Sequence, residues 1–442
     1  MSEPWPTELS LTETSIPGVV LLDLPVHGDN RGWFKENWQR EKMVAIGLPD
    51  FTPVQNNVSY NDAVGTTRGI HAEPWDKFIT VATGRVFGAW VDLREGPTFG
   101  RVFTAELGPG QASFVPRGVG NAYQTLEPGT AYTYLVNDHW RPDAKYTFLN
   151  LADETVAIDW PIPLEHAELS DKDRAHPRLA DVERFKPRAT LVIGANGQLG
   201  RALMERLPNA VGWDMGDIDI TDPASVDAVD WREFDAVINA AAYTKVDEAE
   251  TPEGRRAAWR ANAHGPINLA RMAVRHPHLT LVHVSTDYVF DGEEETHSVD
   301  ETFSPLSVYG QSKAAGDAAV SVVPKHYIAR TSWVVGDGAN FIRTMQGLAE
   351  KGVNPSVVDD QVGLLTYTSD LADGIIELLA SPTAPYGTYN VTSGGEPRSW
   401  FEIAQQAFAD AGHDPARVSP TSTAEYAQGK NMAPRPRFST LA

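Results

Sequence analysis

The chain has 442 residues, which is too long for one ordinary hydrophobic core, so we expect two domains or three. Its formal charge of −22 argues against a general binder of nucleic acids or membrane surfaces. The absence of cysteine excludes disulfides, thiolate zinc sites and thiol catalysis. The N-terminal MSEPWPTELS does not resemble a secretory leader and no apolar stretch is long enough to span a bilayer, so we expect a cytoplasmic protein.

Residues up to about Trp160 contain short β-prone runs separated by glycine, proline and asparagine turns. The runs are VVLLDL, KFITVAT, RVFGAWVDL, ASFVP and AYTYLV. Short strands at such close spacing predict an all-β sandwich or barrel.

From Thr190 onward, strands and helices alternate, beginning with the strand TLVIGA and the helical stretch LGRALMERL and including a long helix from about Arg255 to His276. This alternation predicts a doubly wound parallel sheet of the Rossmann type. The charged, proline-bearing stretch DKDRAHPRLADVERFKPRAT separates the two regions. We therefore predict domains at residues 1–186 and 187–442.

A glycine-rich turn, Gly194-Ala-Asn-Gly197-Gln-Leu-Gly200, follows the first of these strands and opens a helix. Glycines in this context allow the backbone to approach a pyrophosphate at the helix N-terminus. Asp214 lies twenty residues after Gly194, where a ribose-binding acid is expected, although Asp217 and Asp219 are close by. An acid there favours NADH, since it opposes a 2′-phosphate. The alternative is a tight turn that binds no ligand.

Tyr309 and Lys313 are four residues apart and share one face of a predicted helix. We expect the ammonium to lower the pKa of the phenol, which can protonate a carbonyl oxygen as a hydride arrives at carbon. The same lysine can hydrogen-bond a nicotinamide ribose. Alone, such a pair is more often ordinary surface chemistry.

Thr286 ends the predicted strand LTLVHVS, and ligands bind outside the carboxyl ends of strands in open α/β sheets. We expect its hydroxyl to meet the substrate carbonyl beside Tyr309, and the alternative is a simple turn cap. The three elements together predict a carbonyl reductase.

The stretches GANGQLG, VINAAAYTKVDEAE, STDYVFDG, SPLSVYGQSK, RTSWV and DDQVG resemble the dTDP-4-dehydrorhamnose reductases, which are extended short-chain dehydrogenases. The resemblance covers nearly all of residues 190–370. It implies a catalytic role for Thr286, Tyr309 and Lys313 and a cofactor that is NADPH or NADH. The sequence departs from the family at Gly363-Leu-Leu-Thr366, where such reductases read Gly-x-Pro-Thr. The implied cofactor contacts, besides Tyr309 and Lys313, are Gly194, Asn196, Gly197, Gln198, Leu199, Gly200, Asp214, Asp219, Ile220, Ala240, Ala241, Ala242 and Thr244, and the implied substrate contacts are Arg330, Trp333 and Arg435.

The β-rich region carries His71 and Lys77, followed downstream by Tyr134 and Asp173. This set suits proton abstraction next to a ketone, because an acid fixes the tautomer of the histidine base and a lysine stabilises an enolate oxygen. A tyrosine on the opposite face can return the proton. A single histidine beside Arg68 is more often structural.

The stretches DNRGWFKE, PVQNNVS, RGIHAEP, FVPRGVGNAY and ELSDKD resemble the dTDP-4-dehydrorhamnose 3,5-epimerases, which are cupin-type barrels. The match spans about residues 15–180. It implies that His71 is the base, Asp173 its partner, Lys77 the enolate-side lysine and Tyr134 the acid. The sequence departs from the family at Asn121, where a second histidine is usual, at His139-Trp140 in place of a tyrosine pair, and at Ala72-Glu73 in place of Phe-Gln. The implied substrate contacts are Arg31, Glu36, Gln55, Asn57 and Arg68.

We expect no metal, because no His-x-His pair with a carboxylate occurs in the barrel region. The expected fold is a cupin or jelly-roll barrel followed by a Rossmann domain. The expected function is epimerisation of a dTDP-linked 4-keto-6-deoxyhexose and reduction of its C4 ketone, in a homodimer formed through the cupin domain, without nucleic-acid or membrane partners. Two alternatives stay open: a non-catalytic cupin that binds or assembles, and a reductase fold that only binds. UDP also stays open as the nucleotide.

Overall fold

A computed structural model describes residues 5–381 and 383–442, and the chain divides into two compact units between Pro187 and Arg188. Each unit has hydrophobic clusters of its own. Within the described residues, none of the helices has both the length and the apolar composition that a membrane crossing requires.

The first unit consists almost entirely of antiparallel strands. Two short helices, α1 (Arg40–Ala45) and α2 (Asp171–Arg174), and a 3-10 turn at Leu179–Asp181 complete it. The strands are β1 (Ser10–Glu13), β2 (Val20–Asp23), β3 (Val26–Asp29), β4 (Gly32–Lys35), β5 (Gln55–Asn61), β6 (Thr67–Ala72), β7 (Lys77–Thr83), β8 (Val86–Asp92), β9 (Val102–Leu107), β10 (Gln111–Val115), β11 (Val119–Thr125), β12 (Thr130–Val136) and β13 (Thr147–Phe148).

These strands form two packed sheets and a separate β3–β4 hairpin. One sheet has the order β1-β2-β10-β7-β12-β5 and the other β13-β6-β11-β8-β9. Ile79 and Val81 from the first sheet pack with Trp90 and Tyr123 from the second in one buried cluster. The predicted all-β unit is therefore confirmed, with a core between two sheets.

Strand β6 approaches β11 very closely because of Gly69. A Cβ at this position would lie 2.5 Å from the Cβ of Ala122, and its φ of +124° also favours glycine. The close approach holds the next residues of β6, including His71, against the middle of the sheet.

The second unit is an α/β structure. Its elements, in chain order, are β14 (Ala189–Ile193), α3 (Gln198–Arg206), β15 (Val211–Trp213), α4 (Pro223–Asp227), β16 (Phe234–Asn239), α5 (Pro252–Trp259), α6 (Gly265–Arg275), β17 (Thr280–Thr286), α7 (Val308–Val320), β18 (His326–Thr331), β19 (Val334–Val335), α8 (Phe341–Glu350), β20 (Ser356–Val358), β21 (Val362–Gly363), β22 (Thr366–Tyr367), α9 (Thr368–Ala380), β23 (Gly387–Asn390), β24 (Arg398–Ser399), α10 (Trp400–Asp410), β25 (Ser419–Thr421), α11 (Thr423–Tyr426) and β26 (Phe438–Ser439).

Six strands form a parallel sheet in the order β15-β14-β16-β17-β18-β23. Alternate residues of β14 enter different clusters: Leu191 and Ile193 pack in one, and Val192 in another. Both faces of the sheet are thus buried, as a parallel sheet requires. The strand order reverses at β14, which places a ligand crevice at its carboxyl end. The predicted Rossmann unit is confirmed.

The helix predicted from Arg255 to His276 contains a break in its hydrogen-bond pattern. A π-helical segment, Arg260–His264, lies between α5 and α6. Pro266 lies two residues after this segment, and a proline removes a backbone donor and crowds the preceding turn. The pattern of apolar residues could not show this local change.

The last part of the chain returns to the sheet region. Strand β26 pairs with β21, and the backbone N–H of Phe438 donates to the carbonyl oxygen of Gly292. His297 forms a β-bridge with Leu441. Residues 436–441 thus pack against the segment that follows β17.

Candidate active sites

His71 and Asp173 form a direct pair in the first unit, although 102 residues separate them in the chain. His71 Nε2 lies 2.9 Å from Asp173 Oδ1, and the Asp173 side chain is nearly buried in the first turn of α2. Burial favours a higher pKa for Asp173, but hydrogen bonds from His71 and Ser170 outweigh it and hold the pKa below its usual value. A charged Asp173 can only accept, so His71 Nε2 carries the proton and donates it to this carboxylate. The other ring nitrogen, Nδ1, is then unprotonated and can act as a base.

Lys77 begins β7 and is held by Glu73 across a distance of 2.6 Å. Both side chains are largely buried, and the ammonium lies 5.3 Å from the centre of the Tyr134 ring. Burial, followed by the charge of Glu73, raises the pKa of Tyr134. Tyr134 therefore stays protonated at neutral pH and can donate a proton.

Asn121 occupies the position beside the base, because it pairs with His71 in the β6–β11 register. Its amide donates to the Tyr132 hydroxyl at 3.1 Å, and Tyr132 stacks on Tyr123 with ring centres 4.1 Å apart. Burial raises the pKa of Tyr132 well above its usual value. A neutral polar network thus replaces the usual second histidine.

The predicted substrate contacts of this unit separate into two groups. Gln55 and Asn57 lie on β5 and hydrogen-bond each other at 2.8 Å, and His139 contacts Gln55 at 3.1 Å. Arg68 donates to Asn61. Arg31 and Glu36 pair instead with Asp29 and Lys42, and no contact within the described residues joins either of them to His71.

His176 joins His71 and Asp173 in a group whose donor atoms all lie within 4.8 Å of one another. Two imidazoles and a carboxylate could hold a divalent ion, which the search for His-x-His pairs did not reveal. Burial lowers the pKa of His176, whose ring stacks on Phe148. The short His71–Asp173 hydrogen bond is the arrangement that proton transfer requires.

The glycine turn of the second unit cannot accept side chains at two positions. A Cβ on Gly194 would lie 2.8 Å from the Ala241 nitrogen, and one on Gly200 would lie 2.1 Å from the Gly194 oxygen. Gly194 also has a φ of +84°. Gly197 precedes α3 as its N-cap, so the first N–H groups of this helix are available for an anion.

A cavity of about 400 Å³ lies beside this turn. The Asp214 carboxylate accepts the Asn196 N–H at 2.8 Å at its rim. An apolar wall, an acid and a glycine cradle fit a dinucleotide. The lining of this cavity includes the predicted residues Gly194, Asp214, Asp219, Ile220, Ala241 and Ala242, together with Arg260.

The other predicted cofactor residues do not line this cavity, namely Asn196, Gly197, Gln198, Leu199, Gly200, Ala240, Thr244, Tyr309 and Lys313. The Gln198 amide donates to the Ala339 oxygen, and Leu199 packs into a hydrophobic cluster. Thr244 is exposed and is not part of the cavity lining. For Gln198 and Leu199, only the backbone N–H groups at the start of α3 remain available to a cofactor.

Thr286 and Tyr309 meet at the carboxyl end of β17, and Lys313 contacts the same strand at Val284. Thr286 hydrogen-bonds Tyr309 and also donates to Asp287 at 3.0 Å. Burial, followed by the charge of Asp287, raises the pKa of Tyr309. Lys313 donates to the Val284 oxygen at 2.6 Å, and burial lowers its pKa to about 8. The expected lowering of the Tyr309 pKa is therefore not observed, because burial dominates.

Residues 188–442 match the family model described as RmlD substrate binding domain, and residues 13–181 match that of dTDP-4-dehydrorhamnose 3,5-epimerase. The chain belongs to the RmlD family. It is a fusion in which an epimerase-type domain precedes the RmlD domain.

Named relatives match each part separately. Residues of the first part are 51% identical over 180 residues to the protein RmlC homolog of Streptococcus pyogenes serotype M6, covering 39% of this chain and 90% of that protein. A probable dTDP-4,6-dihydroxy-2-methyloxan-3-one 4-ketoreductase of Streptomyces antibioticus is 40% identical over 261 residues, covering 57% of this chain and 85% of that protein. The crystal structure of a dTDP-4-dehydrorhamnose reductase from Bacillus anthracis in complex with NADP is 37% identical, with a TM-score of 0.53, and covers 58% of this chain and 90% of that chain.

The predicted substrate residues of the RmlD domain have different surroundings. Arg435 pairs with Asp247 at 2.9 Å and hydrogen-bonds Tyr288, whose ring lies 5.6 Å from that of Tyr309. Trp333 stacks on Trp400 at 3.8 Å.

Arg330 does not face open space. It is 4% exposed, and its guanidinium contacts Asp317 and the Val299 oxygen. Gly363 begins the segment Gly363–Thr366, which differs from the family pattern. This glycine packs on Trp333, since a Cβ at position 363 would lie 2.9 Å from the indole.

Sequence reasoning did not assign roles to Glu73, His176, Asp287 or His283. Asp287 directly follows Thr286, and Glu73 appeared only as a departure from the family pattern. His176 and His283 had no motif that could reveal them, because their neighbours come from other segments.

Proposed function

We propose that this chain catalyses two consecutive steps on a dTDP-linked sugar. The first unit epimerises dTDP-4-keto-6-deoxy-D-glucose at C3 and C5, and the second reduces the C4 ketone with NADPH or NADH to give dTDP-L-rhamnose. The main support for this proposal is that one chain holds both the His71–Asp173 pair in an epimerase-type domain and Thr286 with Tyr309 in an RmlD domain.

In the first step, His71 Nδ1 removes the proton from the carbon next to the ketone. The charge of Asp173 stabilises the imidazolium that forms. The Lys77 ammonium stabilises the enolate oxygen, and Tyr134 returns a proton from the opposite face. The same exchange at the second carbon completes the epimerisation.

In the second step, a bound reduced nicotinamide supplies the hydride to C4. Tyr309, which its raised pKa keeps protonated, donates its proton to the ketone oxygen, and the Thr286 hydroxyl orients that oxygen. The glycine turn at Gly194 and the N-terminus of α3 hold the pyrophosphate. Asp214 favours NADH, whereas Arg260 offers a cation to a 2′-phosphate, so we propose that both cofactors are accepted.

A second candidate function has specific support. Asn121 is bound to Tyr132, and Glu73 offsets the charge of Lys77. Under this alternative the first unit only binds or assembles, and the second unit reduces a ketone epimerised elsewhere.

Deuterium exchange separates the two proposals. The full chain is incubated with dTDP-4-keto-6-deoxy-D-glucose in D₂O without reductant, and label at C3 and C5 is measured by mass spectrometry. We expect exchange in the wild type and in His166→Ala, an exposed control histidine, and none in His71→Ala. Absence of exchange in the wild type would establish the binding-only alternative.

Addition of NADPH tests the second step. We expect cofactor oxidation and dTDP-L-rhamnose, and a loss of roughly a hundredfold or more in Tyr309→Phe while exchange at C3 and C5 continues. The exposed Tyr426→Phe serves as control. Full reduction by Tyr309→Phe, or no cofactor oxidation by the wild type when ketone that is already epimerised is supplied, would refute the reductase assignment.

We also propose that the first unit forms a homodimer. Strand β5 is an edge of its sheet, and Val58 and Tyr60 on it are 67% and 62% exposed. An exposed edge with apolar side chains invites pairing with another chain. A cytoplasmic location belongs to the same proposal, because reduced nicotinamide cofactors are held inside the cell.

A further inference from the structure

A buried polar cluster lies behind the catalytic pair of the second unit and has no part in the steps described above. It consists of His283 on β17, Lys313 and Asp317 on α7, and Arg330 on β18. His283 and Asp317 are 0% exposed and Lys313 is 2% exposed. Because an unpaired charge is costly in such surroundings, the position of the Lys313 ammonium depends on which of these groups it contacts.

The expected partner of a buried ammonium is a carboxylate, and Asp317 is available one helical turn away on α7. Nevertheless, no ion pair joins Lys313 to Asp317 in the part of the chain that the structure describes. Lys313 donates to the Val284 oxygen at 2.6 Å, and Asp317 Oδ2 contacts Arg330 Nε at 3.2 Å. Asp317 Oδ1 makes no close hydrogen bond, although Ser285 and the charge of Lys313 interact with the carboxylate.

The imidazole of His283 lies near both charged groups. Its Nε2 atom is 3.4 Å from Lys313 Nζ and 3.8 Å from Asp317 Oδ1. The ring is neutral, because burial and the charge of Lys313 lower its pKa well below the usual value. His283 thus approaches both partners of the ion pair that does not form.

Asn239 fixes the orientation of this ring. Its side-chain amide contacts both the Ala241 N–H at 3.3 Å and His283 Nδ1 at 3.1 Å, so the ring is held between Asn239 and Lys313. A lysine ammonium can only donate, so His283 Nε2 is the acceptor in the 3.4 Å contact, and the imidazole holds Lys313 in place of Asp317. Because Ala241 lines the cofactor cavity, a continuous chain of contacts runs from that cavity to Lys313.

We propose that His283 is a positioning residue that keeps Lys313 from forming an ion pair with Asp317. Held away from Asp317, the ammonium stays beside Val284 at the end of β17, where it serves Tyr309 and the nicotinamide ribose. This inference rests on the proposed reductase function.

Removal of the imidazole has a defined expected effect. In His283→Ala, the Lys313 ammonium moves to Asp317 Oδ1, and the added charge interaction raises the Lys313 pKa. The alkaline limb of kcat/KM for reduction of the epimerised ketone then moves up by about one pH unit. NADPH affinity falls about fivefold because a hydrogen bond to the ribose is lost.

Two further variants distinguish positioning from a purely structural role. His283→Gln keeps an acceptor for the Lys313 ammonium in its side-chain carbonyl, so we expect the wild-type limb and affinity. His283→Ala combined with Asp317→Asn removes the attracting carboxylate, so the limb moves back toward the wild-type pH. The measurements are pH profiles, NADPH titration by fluorescence and thermal melting of the full chain.

The inference and the proposed function fail in different ways. If His283→Ala melts earlier but keeps the wild-type pH profile and NADPH affinity, the positioning role is wrong while reduction stands. If the wild type does not reduce the ketone, the proposed function fails and NADPH affinity alone decides the inference. Unchanged affinity in His283→Ala then overturns it, and a loss restored by His283→Gln supports it.

Discussion

Asp287 lies between the catalytic groups and the returning end of the chain. It accepts a hydrogen bond from Thr286, interacts with Ser439 and raises the pKa of Tyr309. Burial raises its own pKa to about 6, from an ordinary value of 3.8. The carboxylate that helps to keep Tyr309 protonated therefore destabilises the fold once it is charged.

This shift predicts a pH-dependent stability. The contribution of Asp287 to the free energy of unfolding is fully present below about pH 4, the pKa of this carboxyl in the unfolded chain. It is lost as the pH rises through about 6, the pKa in the folded chain. We expect Asp287→Asn to remove this loss and to be more stable than the wild type at pH 7, by up to about 3 kcal/mol. Urea unfolding across this range measures it, with the exposed Asp300→Asn as control. A constant difference between Asp287→Asn and the wild type at every pH would contradict the prediction.

Motifs predict single residues well when neighbours in the sequence are also neighbours in the site. Thr286, Tyr309 and Lys313 followed from a strand end and one helix face. His283 gained its role from Asp317, which only folding brings close, whereas Glu73 precedes its partner Lys77 by four residues in a segment that is not helical. The direction of the Tyr309 pKa shift likewise depended on burial, which the four-residue spacing does not report.

At the scale of elements, the strand–turn–helix formed by β14, the glycine turn and α3 is the best-predicted part of the chain. Its glycine positions, apolar strand and following helix all indicate the same structure. Strands of two residues, such as β21 and β26, carry no periodic pattern and could not be predicted. They nevertheless place Arg435 and Ser439 beside the reductase site.

The glycine turn allows a matched test. Gly194→Ala places a methyl group 2.8 Å from the Ala241 nitrogen at a positive φ, so we expect weaker NADPH binding and a loss of roughly 1–3 kcal/mol in stability. Gly347→Ala in α8 meets no atom within 4 Å and should stabilise the chain by about 0.5–1 kcal/mol. NADPH titration and urea unfolding measure both variants. Equal NADPH affinity in the two variants would show that the turn does not cradle the cofactor.

At the scale of the whole molecule, the composition change near Lys186 predicted two domains, and the compact units meet between Pro187 and Arg188. Residues 1–186 and 187–442 remain our proposal for the functional domains. Under the proposed function, their presence on one chain would raise the local concentration of the intermediate near the second site, without requiring a channel.

The proposed homodimer makes a prediction at this scale. Light scattering should give twice the mass of one chain for the wild type, because β5 pairs with a second copy. Val58→Lys with Tyr60→Lys adds charge to that edge and should give the mass of one chain. Val353→Lys, at an exposed position in the second unit, is the control and should stay dimeric. A dimer that survives both β5 substitutions would place the interface elsewhere.

The packing of residues 436–441 on the segment after β17 has a consequence for biosynthesis. A ribosome delivers the first unit complete before it begins β14, but the Ser439 contact with Asp287 forms only when nearly the whole second unit has been made. At ordinary rates of synthesis that interval is on the order of tens of seconds. A nascent chain therefore has its His71–Asp173 pair assembled before its second site is complete, so under the proposed function it would make epimerised ketone before the same molecule could consume it.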